Sequence, residues 1–185
     1  MRVLLTSCGL ETEEIKVKFL ELLNKDMISV KALFIPTAAI DADAISVLPK
    51  CMNDLLKCGI KKKNITVYDL HKPMTADEVK QYDVVYICGG NTEYLLNRIN
   101  EQNFCIALKK YINENGIVIG VSAGSLIFAN NLKNNLNLLR QDLDVHCSEN
   151  NCEKTGCFDI ERKEKIKLGN LQAIVFEDNK QYIIG

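Results

Sequence analysis

A three-layer, doubly wound α/β domain around a mostly parallel sheet is the fold that this 185-residue sequence predicts. Two observations carry the prediction. Over the first two thirds, short apolar runs alternate with amphipathic stretches, the rhythm of a parallel sheet covered by helices on both faces. Two of the apolar runs end in glycine-bearing turns that lead straight into a helical pattern, as strands do at the carboxyl edge of such a sheet.

In chain order, the candidate strands are residues 2–6, 31–35, 64–68, 84–88 and 116–120. Helical patterns lie between them at 11–23, 44–56, 76–82, 92–98 and 104–113. Thr75-Ala76-Asp77-Glu78 has the spacing of a capping box, in which Thr75 and Glu78 satisfy each other's backbone donors. A short helix is expected at 123–130, followed by a stretch containing Asn130, Asn131, Asn134, Asn135 and Asn137. Residues 166–168, 173–176 and 182–184 read as short strands, antiparallel at one edge of the sheet. With no internal repeat, low-complexity tract or linker, residues 1–185 are read as one domain.

Composition narrows the classes of function. The chain is 47% hydrophobic and 25% charged, with a formal net charge of −1. That balance gives no electrostatic case for nucleic acid or an anionic membrane surface. Lys61-Lys62-Lys63 and Arg162-Lys163-Glu164-Lys165 are short or interrupted by acid and read as solvated loops. No apolar run approaches the roughly 18 residues of a membrane span. Residues 1–7 turn polar too soon for a signal peptide, so a cytoplasmic protein is expected.

Of the eight cysteines, Cys8, Cys51, Cys58, Cys88 and Cys105 are scattered among apolar segments and read as reduced thiols. Cys147, Cys152 and Cys157 follow His146 with four residues between successive cysteines, wider than the usual zinc pairs. No metal and no cofactor is expected.

Chemistry concentrates at Gly120-Val121-Ser122-Ala123-Gly124, entered from the apolar run Gly116-Ile117-Val118-Ile119. This is G-x-S-x-G, the nucleophile elbow, in which a serine occupies a strained strand-to-helix turn and flanking glycines make room for the close approach. The N–H of Ala123 then lies at the start of a helix, where it can face a developing oxyanion. Chance supplies the bare pattern in a chain this long on the order of a few per cent of the time, so context decides. The context is a second glycine turn at the same edge, Ile87-Cys88-Gly89-Gly90-Asn91-Thr92, since an oxyanion hole usually draws its second N–H from another loop. A serine hydroxyl needs a base, and the chain has only two histidines. His71, in His71-Lys72-Pro73-Met74, suits an exposed turn, which leaves His146 as the better candidate.

Together these features resemble peptidase family S51, whose members include dipeptidase E and the cyanophycinases. The shared residues are Gly89-Gly90-Asn91-Thr92, Gly120-Val121-Ser122-Ala123-Gly124, and a Leu-x-Leu segment (Leu136-Asn137-Leu138) leading to His146. The similarity runs from the first strand to about His146. It implies a flavodoxin-like fold of the class I glutamine amidotransferase type, with serine in place of their cysteine. It also implies Ser122 as nucleophile, His146 as general base, and the N–H groups of Gly90 and Ala123 as oxyanion hole, with Gly89 and Asn91 in the same substrate-binding turn.

The family's aspartate lies between the serine and the histidine. Here that segment is shorter and asparagine-rich, leaving Asp144, Asp142 and Glu149 as candidates for the acid. If residues 143–147 are extended, Asp144 projects from the same face as His146. A polar strand residue with no such role is the other reading. The expected function is a serine-type peptidase of small peptides, monomeric or homodimeric. The alternative is a non-catalytic binding or regulatory protein on the same fold. A glutamine amidotransferase is disfavoured, because Cys88 and Cys147 lie off the elbow.

Overall fold

The computed structural model describes residues 1–185 apart from Ile160, Arg162, Lys163 and Asn179. The strands are β1 (Arg2–Thr6), β2 (Ala32–Ile35), β3 (Ile65–Val67), β4 (Val84–Ile87), β5 (Ile117–Val121), β6 (Leu143–Cys147), β7 (Gly156–Cys157), β8 (Ile166–Gly169), β9 (Ala173–Glu177) and β10 (Lys180–Ile184). The helices are α1 (Glu13–Leu23), α2 (Ala42–Lys57), α3 (Ala76–Val79), α4 (Thr92–Glu101), α5 (Phe104–Asn113) and α6 (Ala123–Leu126).

Eight strands form one sheet in the order β3-β2-β4-β5-β1-β9-β10-β7. The first five are mutually parallel, and β9, β10 and β7 add antiparallel to the β1 side. The expected antiparallel edge is therefore formed by β9 and β10. Residues 166–168 depart from that expectation, because β8 leaves the main sheet and pairs parallel with β6 in a separate two-stranded sheet.

Alternation along the buried strands builds two cores. Val3, Leu5, Leu33, Val85 and Val118 face α3, α4 and α5, where they meet Val79, Leu96 and Phe104. Leu4, Phe34, Tyr86 and Ile119 face α1 and α2, where they meet Phe19 and Leu55. Strands buried on both faces read as continuous apolar runs, which is why the sequence located them.

Local chemistry sets the helix ends. Thr12 caps α1 by accepting from the Ile15 N–H at 3.2 Å, and Asp41 caps α2 by accepting from Ala44 at 2.9 Å. The Thr75–Glu78 capping box forms as its spacing predicts. Pro49 lies inside α2 and cannot donate back to Ile45, so one rung of that helix is missing. The helix expected at 123–130 shortens to α6, beyond which Phe128 and Ala129 donate three residues back to Ser125 and Leu126, the tighter 3₁₀ pattern. The asparagine-rich stretch has a conformational reason: Asn134 and Asn137 hold φ of 60° and 55°, where asparagine is tolerated better than most residues. Asn131 uses its side-chain amide to bond both the N–H and the C=O of Leu143, fixing the start of β6.

Lys61, Lys62 and Lys63 are exposed, as expected. Of the second basic stretch, Glu164 and Lys165 are exposed, whereas Arg162 and Lys163 lie outside the described residues. No helix among the described residues is long and apolar enough to cross a membrane.

Candidate active site

Three loops meet at the carboxyl ends of β1, β4 and β5, the edge where open α/β sheets bind ligands. They border a cleft of about 350 Å³ whose opposite wall is the first half of α2.

The β5–α6 turn supplies Ser122. Its backbone holds φ 49° and ψ −111°, and its N–H donates to the Thr6 carbonyl at 2.9 Å, locking the turn to the end of β1. The glycines of the motif are needed for space. A Cβ on Gly120 would lie 2.4 Å from the Gly124 carbonyl oxygen, and one on Gly124 would lie 2.3 Å from that of Ile87. Buried Ser125 completes the brace, donating to the carbonyls of Thr6 and Gly120 and accepting from the Thr6 N–H.

The β4–α4 turn supplies Gly89 and Gly90, both lining the cleft. Gly90 combines φ 135° with a contact that excludes any side chain, since an added Cβ would lie 2.1 Å from the Ala38 carbonyl oxygen. Asn91, expected in the same substrate-binding turn, spends its side chain elsewhere. It caps α4 by accepting from the Tyr94 N–H at 2.8 Å. Ala123 is buried and is the first residue of α6, so its N–H is one of the first-turn donors that a helix leaves without an internal acceptor.

His146 comes from β6. Its Nε2 lies 2.9 Å from Ser122 Oγ, so the serine and the favoured histidine are brought together. His71 is remote from them, in an exposed turn where its ring bonds Asp69. A hydroxyl bonded to an imidazole nitrogen is the arrangement in which the ring can take the proton as the oxygen attacks.

Asp144 does not approach the ring, and the reason is a break in the strand. The β6–β8 register shifts between Asp144 and Cys147, and His146 holds φ 60°, so residues 144 and 146 no longer share a face as they would in an unbroken strand. The Asp144 carboxylate instead lies 3.2 Å from Lys165 Nζ. Asp142 contributes its backbone carbonyl to the Ile166 N–H, and Glu149 is exposed in a 3₁₀ turn. Among the described residues, no carboxylate contacts His146.

The group on the far side of the ring is Asn170, whose Oδ1 lies 2.9 Å from His146 Nδ1. Cys8 joins them, with its Sγ 3.4 Å from Asn170 Oδ1 and 3.7 Å from His146 Nδ1. Ser7 adds a backbone tie: its buried hydroxyl accepts from the His146 N–H at 3.3 Å and donates to the Leu168 carbonyl. None of these three residues was singled out from the sequence for such a place. Asn170 follows the histidine in the chain and is an amide, so a search for acids between serine and histidine passes over it.

Two of the three thiols lining the cleft hold their protons more firmly than an ordinary thiol, whereas the third, Cys51, has its pKa lowered, chiefly by its hydrogen bond with Cys88. Burial raises the pKa of Cys8, and burial raises that of Cys88 well above the ordinary thiol value. All eight cysteines are free, and the described residues contain no group of three or more His, Cys, Asp or Glu placed to hold a metal ion.

The sequence profile of peptidase family S51 matches residues 3–142. Solved structures share the architecture along the whole chain. A protein from Listeria monocytogenes EGD-e, provisionally named a peptidase E, aligns with a TM-score of 0.72 at 18% identity, covering 99% of this chain and 97% of its own. A peptidase from an acI-B1 Actinobacterium aligns with a TM-score of 0.65 at 16% identity, covering 100% of this chain and 87% of its own. The three-layer sheet and the profile match over most of the chain lead to one assignment: this protein belongs to peptidase family S51.

Proposed function

We propose that the chain is a single-domain serine peptidase of small peptides, with Ser122 as nucleophile and His146 as general base. The observation that carries the reading is the 2.9 Å contact between Ser122 Oγ and His146 Nε2 at the floor of an open cleft. The strained serine backbone adds support. A non-glycine residue held in a sparsely populated region costs about 1–3 kcal/mol and persists where the surroundings over-determine it, which is common at active sites.

In this mechanism Ser122 Oγ attacks the scissile carbonyl carbon while its proton passes to His146 Nε2. The carbonyl electrons move onto oxygen, and the N–H groups of Gly90 and Ala123 receive that oxyanion. Collapse re-forms the carbonyl and breaks the C–N bond as His146 returns the proton to the leaving amine. Water, deprotonated by the same ring, then hydrolyses the acyl ester and frees Ser122.

The cleft favours apolar over acidic side chains beside the scissile bond. Its helical wall presents Ala44, Val47 and Leu48. Lys50 is the one Lys or Arg lining the cleft among the described residues, and it is held by Glu11 at 2.7 Å. An acidic side chain would enter without a free cation to receive it.

The test is turnover of a peptide library by the wild type and by Ser122→Ala. Hydrolysis by the wild type alone supports the reading. If neither protein cleaves any peptide, and a peptide raises the melting temperature of both equally, the site binds without chemistry.

A further inference from the structure

We propose that Cys51 and Cys88 form an oxidation site in the cleft, where a hydroperoxide converts Cys51 to a sulfenic acid and Cys88 resolves it to a disulfide that slows the peptidase. The thiol chemistry stands on its own, whereas its effect on turnover rests on the reading of Ser122 as nucleophile.

The two thiols come from different walls of the cleft. Cys51 belongs to α2, and Cys88 is the residue after β4, directly before Gly89 and Gly90. Both are free, both line the cleft that holds Ser122, and a hydrogen bond joins them. Cys51 and Leu55 are the buried residues of α2, so this contact is one of the few places where the helix is sealed against the sheet.

Their surroundings divide the roles. Cys51 is 5% exposed and Cys88 is fully buried, so a small oxidant in the cleft meets Cys51 first. The bond donated by the Cys88 thiol is the main reason that Cys51 ionises more readily than an ordinary thiol. Tyr86 and Lys50 act in the same direction, against burial and Asp54. The thiolate is the form that attacks an oxidant. Cys88 holds its proton, chiefly through burial. Cys8, the third thiol of the cleft, also holds its proton through burial, and its Sγ is engaged with Asn170 Oδ1 at 3.4 Å.

In the first step the Cys51 thiolate attacks the terminal oxygen of the hydroperoxide. An S–O bond forms, the O–O bond breaks, and the leaving oxyanion takes a proton from solvent to become an alcohol, or water when the oxidant is hydrogen peroxide. Cys51 is now a neutral sulfenic acid, which removes the negative charge that had helped to hold the Cys88 proton. Cys88 sulfur then attacks Cys51 sulfur. The S–S bond forms, the S–O bond breaks, and hydroxide leaves with the Cys88 proton as water. The two thiols give up two electrons, and the peroxide takes them.

The disulfide acts on the site through its length. An S–S bond of about 2.05 Å is much shorter than a hydrogen-bonded contact between two sulfur atoms. Forming it draws Cys88 and α2 together and pulls on the adjoining Gly89-Gly90 turn, whose Gly90 N–H faces the oxyanion in the mechanism above. A displacement of about 1 Å in such a group can cost on the order of a hundredfold in rate.

The test is hydrogen peroxide treatment of the reduced full chain, as wild type, Cys51→Ala and Cys88→Ala. One portion is blocked with iodoacetamide and mapped by mass spectrometry. A second is freed of peroxide and labelled with a fluorophosphonate. The wild type should yield a Cys51–Cys88 disulfide peptide, and Ser122 labelling should slow by about tenfold or more and recover with dithiothreitol. Cys88→Ala should leave Cys51 as a sulfenic acid that dimedone traps, and peroxide should not change the labelling rate of Cys51→Ala. If the variants do not fold, the wild-type map and the recovery with dithiothreitol decide. A wild type in which Cys51 and Cys88 both stay reduced overturns the proposal, as does a mapped disulfide with labelling unslowed. A reduced wild type that never labels overturns the reading of Ser122 instead, and the disulfide map still decides the thiol chemistry.

Discussion

Ser122 and His146, bonded at 2.9 Å, both hold positive φ, 49° and 60°. Each side chain is aimed by a backbone that departs from its element: an elbow after β5 in one case, a break in β6 in the other. Strain of this kind is removable in the serine, because glycine takes positive φ freely. Ser122→Gly should abolish peptide hydrolysis while stabilising the fold by up to about 1 kcal/mol. For a chain of this size that raises the melting temperature by about 2–4 °C. Thermal unfolding checks it, and a lower melting temperature would show that the serine backbone is not under strain.

Asp144 was a reasonable candidate for the acid, and its replacement separates strand periodicity from observed geometry. Its ion pair with Lys165 is largely solvent-exposed, at 41% and 45%, and such pairs contribute about 0–1 kcal/mol. Asp144→Asn should leave kcat/KM within about twofold of wild type and stability within about 1 kcal/mol. A loss of a hundredfold or more in kcat/KM would put Asp144 back beside the ring, since that is the scale of lost acid–base catalysis.

Substrate choice should respond to a residue behind the cleft wall. The hydrogen bond that Lys50 donates to Glu11 is the largest influence on its pKa and raises it, so the cation is engaged rather than free. Glu11→Gln releases it. Hydrolysis of peptides with Asp or Glu beside the scissile bond should rise by up to about fivefold relative to apolar peptides, the worth of one exposed charge pair. Parallel kcat/KM measurements on the two peptide sets check this. An unchanged ratio would mean that Lys50 does not reach the substrate.

Alkaline stability has a named contributor in Cys58, at the end of α2. Burial is the main cause that pushes its thiol from 9.0 up to about 11. The folded chain therefore holds this proton more tightly than the unfolded chain does. The stability from this group is intact below about pH 9 and is lost as the pH rises through about 11. Cys58→Ala, although less stable at neutral pH, should lose melting temperature less steeply than wild type between pH 9 and 11. Equal slopes would exclude the thiol as a contributor.

Most of the parallel sheet was legible because β1, β2, β4 and β5 are buried on both faces and appear as apolar runs, two of them ended by glycine turns, whereas the edge strand β3 is largely exposed. That Ser122, Gly90 and His146 meet in one cleft was legible for a related reason: steric demands and rare residue types leave a local trace. The partner of the ring was not. Asp144 is kept from the ring by a register shift, which cannot be read from side-chain alternation. Asn170 went unseen because a turn asparagine is common, and its contact with the ring arises only when the fold brings the β8–β9 turn against β6. Likewise β8 carries the apolar pattern of an edge strand yet pairs with β6 rather than the main sheet, a choice made by tertiary packing.

The proposed mechanism rests on Ser122 being a nucleophile activated by His146. The most direct test is intact-mass analysis and peptide mapping after fluorophosphonate treatment of wild type, Ser122→Ala and His146→Ala. One adduct on Ser122 is expected in the wild type, none in Ser122→Ala, and formation slowed by about a hundredfold or more in His146→Ala. An unmodified wild type under conditions that label another serine hydrolase to completion would contradict it, as would an adduct that persists in Ser122→Ala.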